Sequence, residues 1–135
     1  MKPMLRNRRD RVVIRPVTVE RLSRLDVVLY RAPGGEKYLL HRIVGETDDG
    51  RYIIRGDNTW EKEIVYDRQI VGVMSEFYRK GKRIDATNKK YRAYVRFWNL
   101  IYPFRAVARR VRVFWWKVRV KLHIPPKHSP FEYDY

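Results

Sequence analysis

At 135 residues with a formal charge of +16, the chain has room for one modest domain with a hydrophobic core and none for a second. It holds no cysteine, which excludes disulfides, thiolate zinc sites and a cysteine nucleophile. Its three histidines, His41, His123 and His128, stand without HExxH or clustered carboxylate spacing, so neither a metal nor another cofactor is expected.

Residues 11–85 read as short β-type runs separated by turn residues, which predicts a mainly β core of five or six strands. Val12-Val13-Ile14 precedes Pro16, and Val27-Val28-Leu29-Tyr30 runs into Pro33-Gly34-Gly35. A longer run from Lys37 to Val44 follows that turn. Arg51-Tyr52-Ile53-Ile54 comes after the Asp48-Asp49-Gly50 turn, and a run from Gln69 to Met74 leads to Phe77-Tyr78. After Asp85 glycine disappears, and Tyr91, Tyr94, Val95, Trp98, Ile101 and Tyr102 recur as on one face of a helix. Asn88 suits its cap, and Pro103 kinks or restarts it. Val111-Arg112-Val113 and the run from Lys117 to Leu122 alternate with period two, so helix and strand both stay open there. The expected organisation is a β domain over 1–86, a basic, aromatic helical extension over 87–122 and a loose tail over 123–135.

The charge is concentrated in the extension, where residues 89–121 hold eleven lysines and arginines and no acid. A field of this sign draws anionic partners, phospholipid surfaces or nucleic acid. No apolar stretch nears the roughly 18–20 residues of a spanning helix, and no charged-then-apolar secretory signal opens the chain, so no membrane-spanning segment is expected.

Five short boxes follow one another in order: Met1-Lys2-Pro3-Met4-Leu5, Arg9-Asp10-Arg11-Val12, Leu25-Asp26-Val27-Val28, His41-Arg42-Ile43 and Gly56-Asp57-Asn58. As an ordered set over residues 1 to about 75 they resemble the signal peptidase superfamily, which also includes LexA-type self-cleaving repressors. The family's opening box reads Ser-Met-x-Pro-x-Leu, and Met1, Pro3 and Leu5 match all of it except the serine, which would precede Met1. In the second and third boxes Arg9 and Leu25 stand where the family usually has glycine. A histidine in a His-Arg-hydrophobic box, rather than a lysine, marks the serine/histidine branch.

The resemblance implies a serine endopeptidase in which His41 is the general base and an acid in or shortly after the Gly-Asp-Asn box orients it. Asp57, Glu63 and Asp67 are the candidates, and Met1 and Pro3 are expected at the substrate, a peptide or protein. The chemistry is coherent. A serine hydroxyl is a weak nucleophile until a base within hydrogen-bond reach takes its proton, and a carboxylate holds the imidazole in the useful tautomer. Ser23, Ser75 and Ser129 do not precede a Met-x-Pro turn, so the chain is expected to be inactive unless a serine precedes Met1.

Plainer readings stand beside these. His41 can be a structural residue of a β run, Gly56-Asp57-Asn58 an ordinary turn, and Glu63 and Asp67 partners of Lys62 and Arg68. The fold can also serve a non-catalytic peptide binder. In the extension, Tyr91, Tyr94, Trp98 and Ile101 can pack on the β core. Alternatively Arg96, Trp98, Arg109, Arg110, Trp115 and Trp116 meet an anionic membrane, giving a peripheral rather than cytoplasmic protein. Nucleic acid is a third partner class, though no recognised binding module is present.

Overall fold

The structure, a computed structural model, describes residues 4–5, 9–17, 21–32, 34–35 and 37–123. Met1, Pro3 and the tail 124–135 lie outside the described residues.

Among the described residues the chain folds as a mainly β protein followed by two helices. The strands are β1 (Arg11–Pro16), β2 (Val27–Arg31), β3 (Tyr38–Glu46), β4 (Tyr52–Arg55), β5 (Lys62–Val65), β6 (Ile70–Arg79) and β7 (Lys82–Asp85). The helices are α1 (Lys89–Leu100) and α2 (Tyr102–Lys121). All pairings are antiparallel, in the order β1-β6-β2-β3-β4-β5. The ten-residue β6 holds β1 along one edge, with β2 and then β7 on the other. Among the described residues seven strands therefore stand where the pattern predicts five or six. The two without an apolar run, β5 and β7, open on Lys62-Glu63 and Lys82-Arg83, so no alternation announces them.

Both faces of the sheet carry apolar cover. Val27 and Val28 are consecutive on β2, and period-two geometry sends them to opposite sides. Val28 joins Tyr30, Ile43, Tyr52, Ile54, Val65 and Val73 in one buried cluster. Val27 joins Met4, Leu5, Met74, Phe77 and Val95 in the other. On β6, Met74 and Phe77 reach the same cluster although three residues apart. The register against β1 slips at this point, Glu76 facing Val13 and Met74 facing Ile14, so Ser75 is a one-residue bulge.

Asn88 caps α1, its Oδ1 accepting from the Lys90 and Tyr91 N–H groups at 2.9 and 3.2 Å. Pro103 falls in the first turn of α2, where its missing N–H costs nothing. The period-two run belongs to that helix as far as Lys121, with Leu122 as its C-cap, which settles the alternative left open by the sequence. The chain divides into two compact units, Met1–Arg96 and Phe97–Tyr135. The division falls inside α1 because Val95, with Tyr91 against it, belongs to the second cluster of the sheet.

Gly72 on β6 is held in place by crowding. A Cβ there would press on Ile14 Cγ2 and stand 2.6 Å from the Arg15 carbonyl oxygen, a backbone atom that cannot step aside. Gly72→Ala is expected to lower stability by about 1–3 kcal/mol, read as a lower urea midpoint at unchanged slope.

Candidate active site

The β2–β3 hairpin turns at Gly34 and Gly35, whose φ values of 100° and 79° are open to glycine without strain. That centre places Val28 opposite His41 and Tyr30 opposite Leu39, so Tyr30 is the diagonal neighbour of His41 on one face. On the other side of β3, Arg42 faces Arg55, and the next step along the ladder brings Gly56 beside His41. Ile54 faces Glu63 on β5. Three adjacent strand pairs thus converge Tyr30, His41 and Glu63.

The Tyr30 hydroxyl lies 2.8 Å from Glu63 Oε2 and 3.1 Å from His41 Nδ1, and His41 Nδ1 is 3.8 Å from Glu63 Oε1. A phenol has one proton to give. The carboxylate can only accept, so that proton goes to Glu63. The tyrosine oxygen is left to accept from His41, which fixes the proton on Nδ1 and the lone pair on Nε2. Burial, then the hydrogen bond to Glu63, push the Tyr30 pKa far above its ordinary value and keep the phenol protonated.

His41 itself is pulled below its ordinary pKa, mainly by burial, while the Glu63 charge opposes that pull. The imidazole is therefore neutral at physiological pH, with a carboxylate close by to stabilise its cation when one forms. Its ring needs Gly56. A Cβ on that residue would stand 3.0 Å from His41 Nε2 and 2.9 Å from Thr59 Oγ1, so only glycine leaves the imidazole its seat.

Asp57, adjacent to that glycine, has a different principal contact. Arg42 points to the opposite face from His41 and donates from Nε to Asp57 Oδ1 at 2.7 Å and from Nη2 to Oδ2 at 2.9 Å. Both side chains are buried, at 3% and 8% exposed. Arg42 Nη1 also donates to the Leu25 carbonyl at 2.7 Å. Burial opposes the guanidinium charge, but the Asp57 bonds and charge outweigh it and the Arg42 pKa is raised. Asp57 acts on His41 through its field, more weakly than Glu63 does.

Of the expected residues, His41 and Glu63 are brought together, Asp57 pairs with Arg42, and Asp67 begins an exposed 3₁₀ turn, Asp67–Gln69. Met1 and Pro3 lie outside the described residues. In the helical segment Trp115, Arg96 and Arg110 are exposed, whereas Trp98, Arg109 and Trp116 are half-buried. Arg105 stacks 3.5 Å over the Trp98 ring. The residue missed by the sequence reading is Tyr30, although a hairpin centred on Gly34-Gly35 already makes it a diagonal neighbour of His41. Among the described residues no group of three or more His, Asp or Glu could hold a metal ion.

Comparison of the chain with protein-family models, with curated proteins and with solved structures returns no match.

The His41 ring is expected to titrate below 6.5, and Glu63→Gln to move that midpoint lower still, because it removes the charge that raises it; NMR of the ring protons reads both. The unfolded histidine titrates near 6.5 and the folded one lower. The stability this residue contributes is therefore complete above about pH 6.5 and is lost as pH falls through the folded midpoint. Arg42→Met strands Asp57 and is expected to cost about 3–5 kcal/mol, while Arg42→Met with Asp57→Leu regains most of it; a urea double-mutant cycle measures the coupling.

Proposed function

We propose that the chain is the core of a serine endopeptidase of the signal peptidase type, acting on an extended peptide. In this reading His41 is the general base, Glu63 and Tyr30 position it, and the nucleophile is a serine directly before Met1. The observation that carries the proposal is the His41–Tyr30–Glu63 hydrogen-bonded series, which leaves Nε2 as a neutral proton acceptor. A histidine kept only for packing does not call for a buried tyrosine and a carboxylate aligned on its Nδ1.

A second feature supports the resemblance. Leu25, which stands where the family's box has glycine, adopts φ of 80°, a left-handed conformation costing an L-residue about 1–2 kcal/mol. The backbone keeps the conformation that a glycine takes easily. Its N–H donates to the Ile43 carbonyl at 2.8 Å, and its own carbonyl accepts from Arg42.

The steps of this reading are those of a serine/histidine peptidase. His41 Nε2 takes the serine proton as the hydroxyl oxygen attacks the peptide carbonyl, and the imidazolium keeps its Nδ1–H on the Tyr30 oxygen. Glu63, 3.8 Å from that nitrogen, stabilises the new cation. Nε2 then protonates the leaving amine. Water enters by the same base and releases the acyl group. Asp57 holds Arg42 and the turn that seats His41, a positioning task.

No helix among the described residues is long and apolar enough to cross a membrane. We place the chain at a membrane surface, as a peripheral protein, on the strength of its basic, aromatic C-terminal helix.

The test adds a serine directly before Met1 and follows cleavage of an unstructured peptide together with covalent labelling by a fluorophosphonate. Cleavage and labelling at the added serine are expected, with His41→Ala lowering kcat/KM about 10²–10⁴-fold. Tyr30→Phe is expected to lower it by less, because the imidazole loses its anchor but keeps its lone pair. Cleavage unchanged by His41→Ala contradicts the base assignment. Failure of the serine-bearing chain to cleave or label, with the His41 titration intact, contradicts the peptidase reading.

A further inference from the structure

We infer that the exposed aromatic face of α2 docks on an anionic lipid surface, lying in the plane of the headgroups. The inference names the partner of that helix and does not depend on peptidase activity.

Phe104, Val107, Val111, Phe114, Trp115, Val118 and Leu122 recur at three- and four-residue steps and form one stripe along α2 and its last turn. All but the half-buried Val118 are exposed, Phe104 by 77%, Phe114 by 61% and Trp115 by 59%. The other half-buried positions of the same helix, Tyr102, Arg105, Ala106, Arg109, Val113 and Trp116, fall on another side. The helix therefore has two apolar sides, and the one richer in aromatic rings faces water. A contiguous apolar stripe of this kind marks an interaction surface.

Charge complementarity selects the occupant. Exposed cations border the stripe on both flanks, Arg110, Lys117 and Lys121 on one and Arg112 and Arg119 on the other. Residues 86–123 contain no Asp or Glu. A second copy of this face would bring like charges together with no acid to pair them. A nucleic acid would meet the cations but offers no apolar interior for Val107, Val111 and Leu122. An anionic bilayer satisfies both, taking the apolar stripe below its headgroups while arginine and lysine stems reach up to phosphate. The helix spans about 30 Å at 1.5 Å per residue. Its seven lysines and arginines forbid insertion across the hydrocarbon, so it lies flat.

The experiment sediments the full chain with vesicles of equal parts phosphatidylglycerol and phosphatidylcholine, and with phosphatidylcholine alone, at low and physiological salt. Binding to the anionic vesicles is expected, at least tenfold stronger than to the neutral ones and weaker at higher salt. Phe104→Ser with Trp115→Ser is expected to lower that binding about a hundredfold, tenfold for each ring withdrawn from the interface. Arg112→Gln with Arg119→Gln is expected to lower it about fivefold per cation and to flatten the salt dependence. All four changes are at exposed positions, and an unchanged His41 titration shows that the sheet is folded in each variant. Three results overturn the inference. One is no binding to anionic vesicles, another is binding that the aromatic substitutions leave unchanged, and the third is a concentration-dependent dimer or tighter oligonucleotide binding that those substitutions abolish.

Discussion

The buried ion pair between Arg42 and Asp57 is the contact on which the arrangement around His41 depends. Its guanidinium spends Nε and Nη2 on one carboxylate and Nη1 on the Leu25 carbonyl, and approaches Met4 Sδ at 3.6 Å and the Tyr91 hydroxyl at 3.5 Å. One side chain thereby joins the start of the chain, the turn before β2, the turn after β4 and the first helix. Two charges taken from water are tolerated only when paired with good geometry, and the fork-to-fork arrangement supplies it. The pair also fixes which way β3 faces. With Arg42 committed to one side of the sheet, His41 must look to the other.

On that other side the decisive quantity is a single proton. Tyr30 is fully buried and its phenol stays protonated, so its one hydrogen goes to the strongest acceptor in reach, the Glu63 carboxylate. The tautomer of His41 then follows from donor and acceptor capacities. The carboxylate acts on the imidazole partly through the tyrosine and partly through its field. A direct carboxylate contact would stabilise the protonated ring more strongly. The tyrosine relay with burial leaves a base that is neutral at rest and supported once charged, a balance suited to taking a proton and returning it.

Much of this was legible in the sequence, and the limits have physical causes. Strands β1, β2, β3, β4 and β6 announce themselves by apolar runs between turn signals. The strands β5 and β7 do not, because edge and ribbon strands are half in water and carry Lys, Arg and Glu at positions where alternation would otherwise show. The cap at Asn88 and the restart at Pro103 are local chemistry and were readable as such. The alternation at 117–122 was ambiguous because valines between cations fit a strand face as well as two sides of a helix. His41 and Glu63 were in view as residues, but choosing Glu63 over Asp57 as its nearest acid needed a register. Asp57 sits one residue from the glycine beside His41 and yet turns to the opposite face, a distinction that spacing alone does not carry. Tyr30 belonged to a plain β run, and only the hairpin centre turns it into a neighbour of the histidine.

His41 in this arrangement is a neutral imidazole carrying its proton on Nδ1. Nitrogen-15 chemical shifts of the imidazole, measured above pH 7 in chain labelled at histidine, read this directly. A protonated Nδ1 and an unprotonated Nε2 are expected for His41, with Tyr30→Phe weakening that preference. A ring protonated on Nε2, or one already charged at neutral pH, would contradict it.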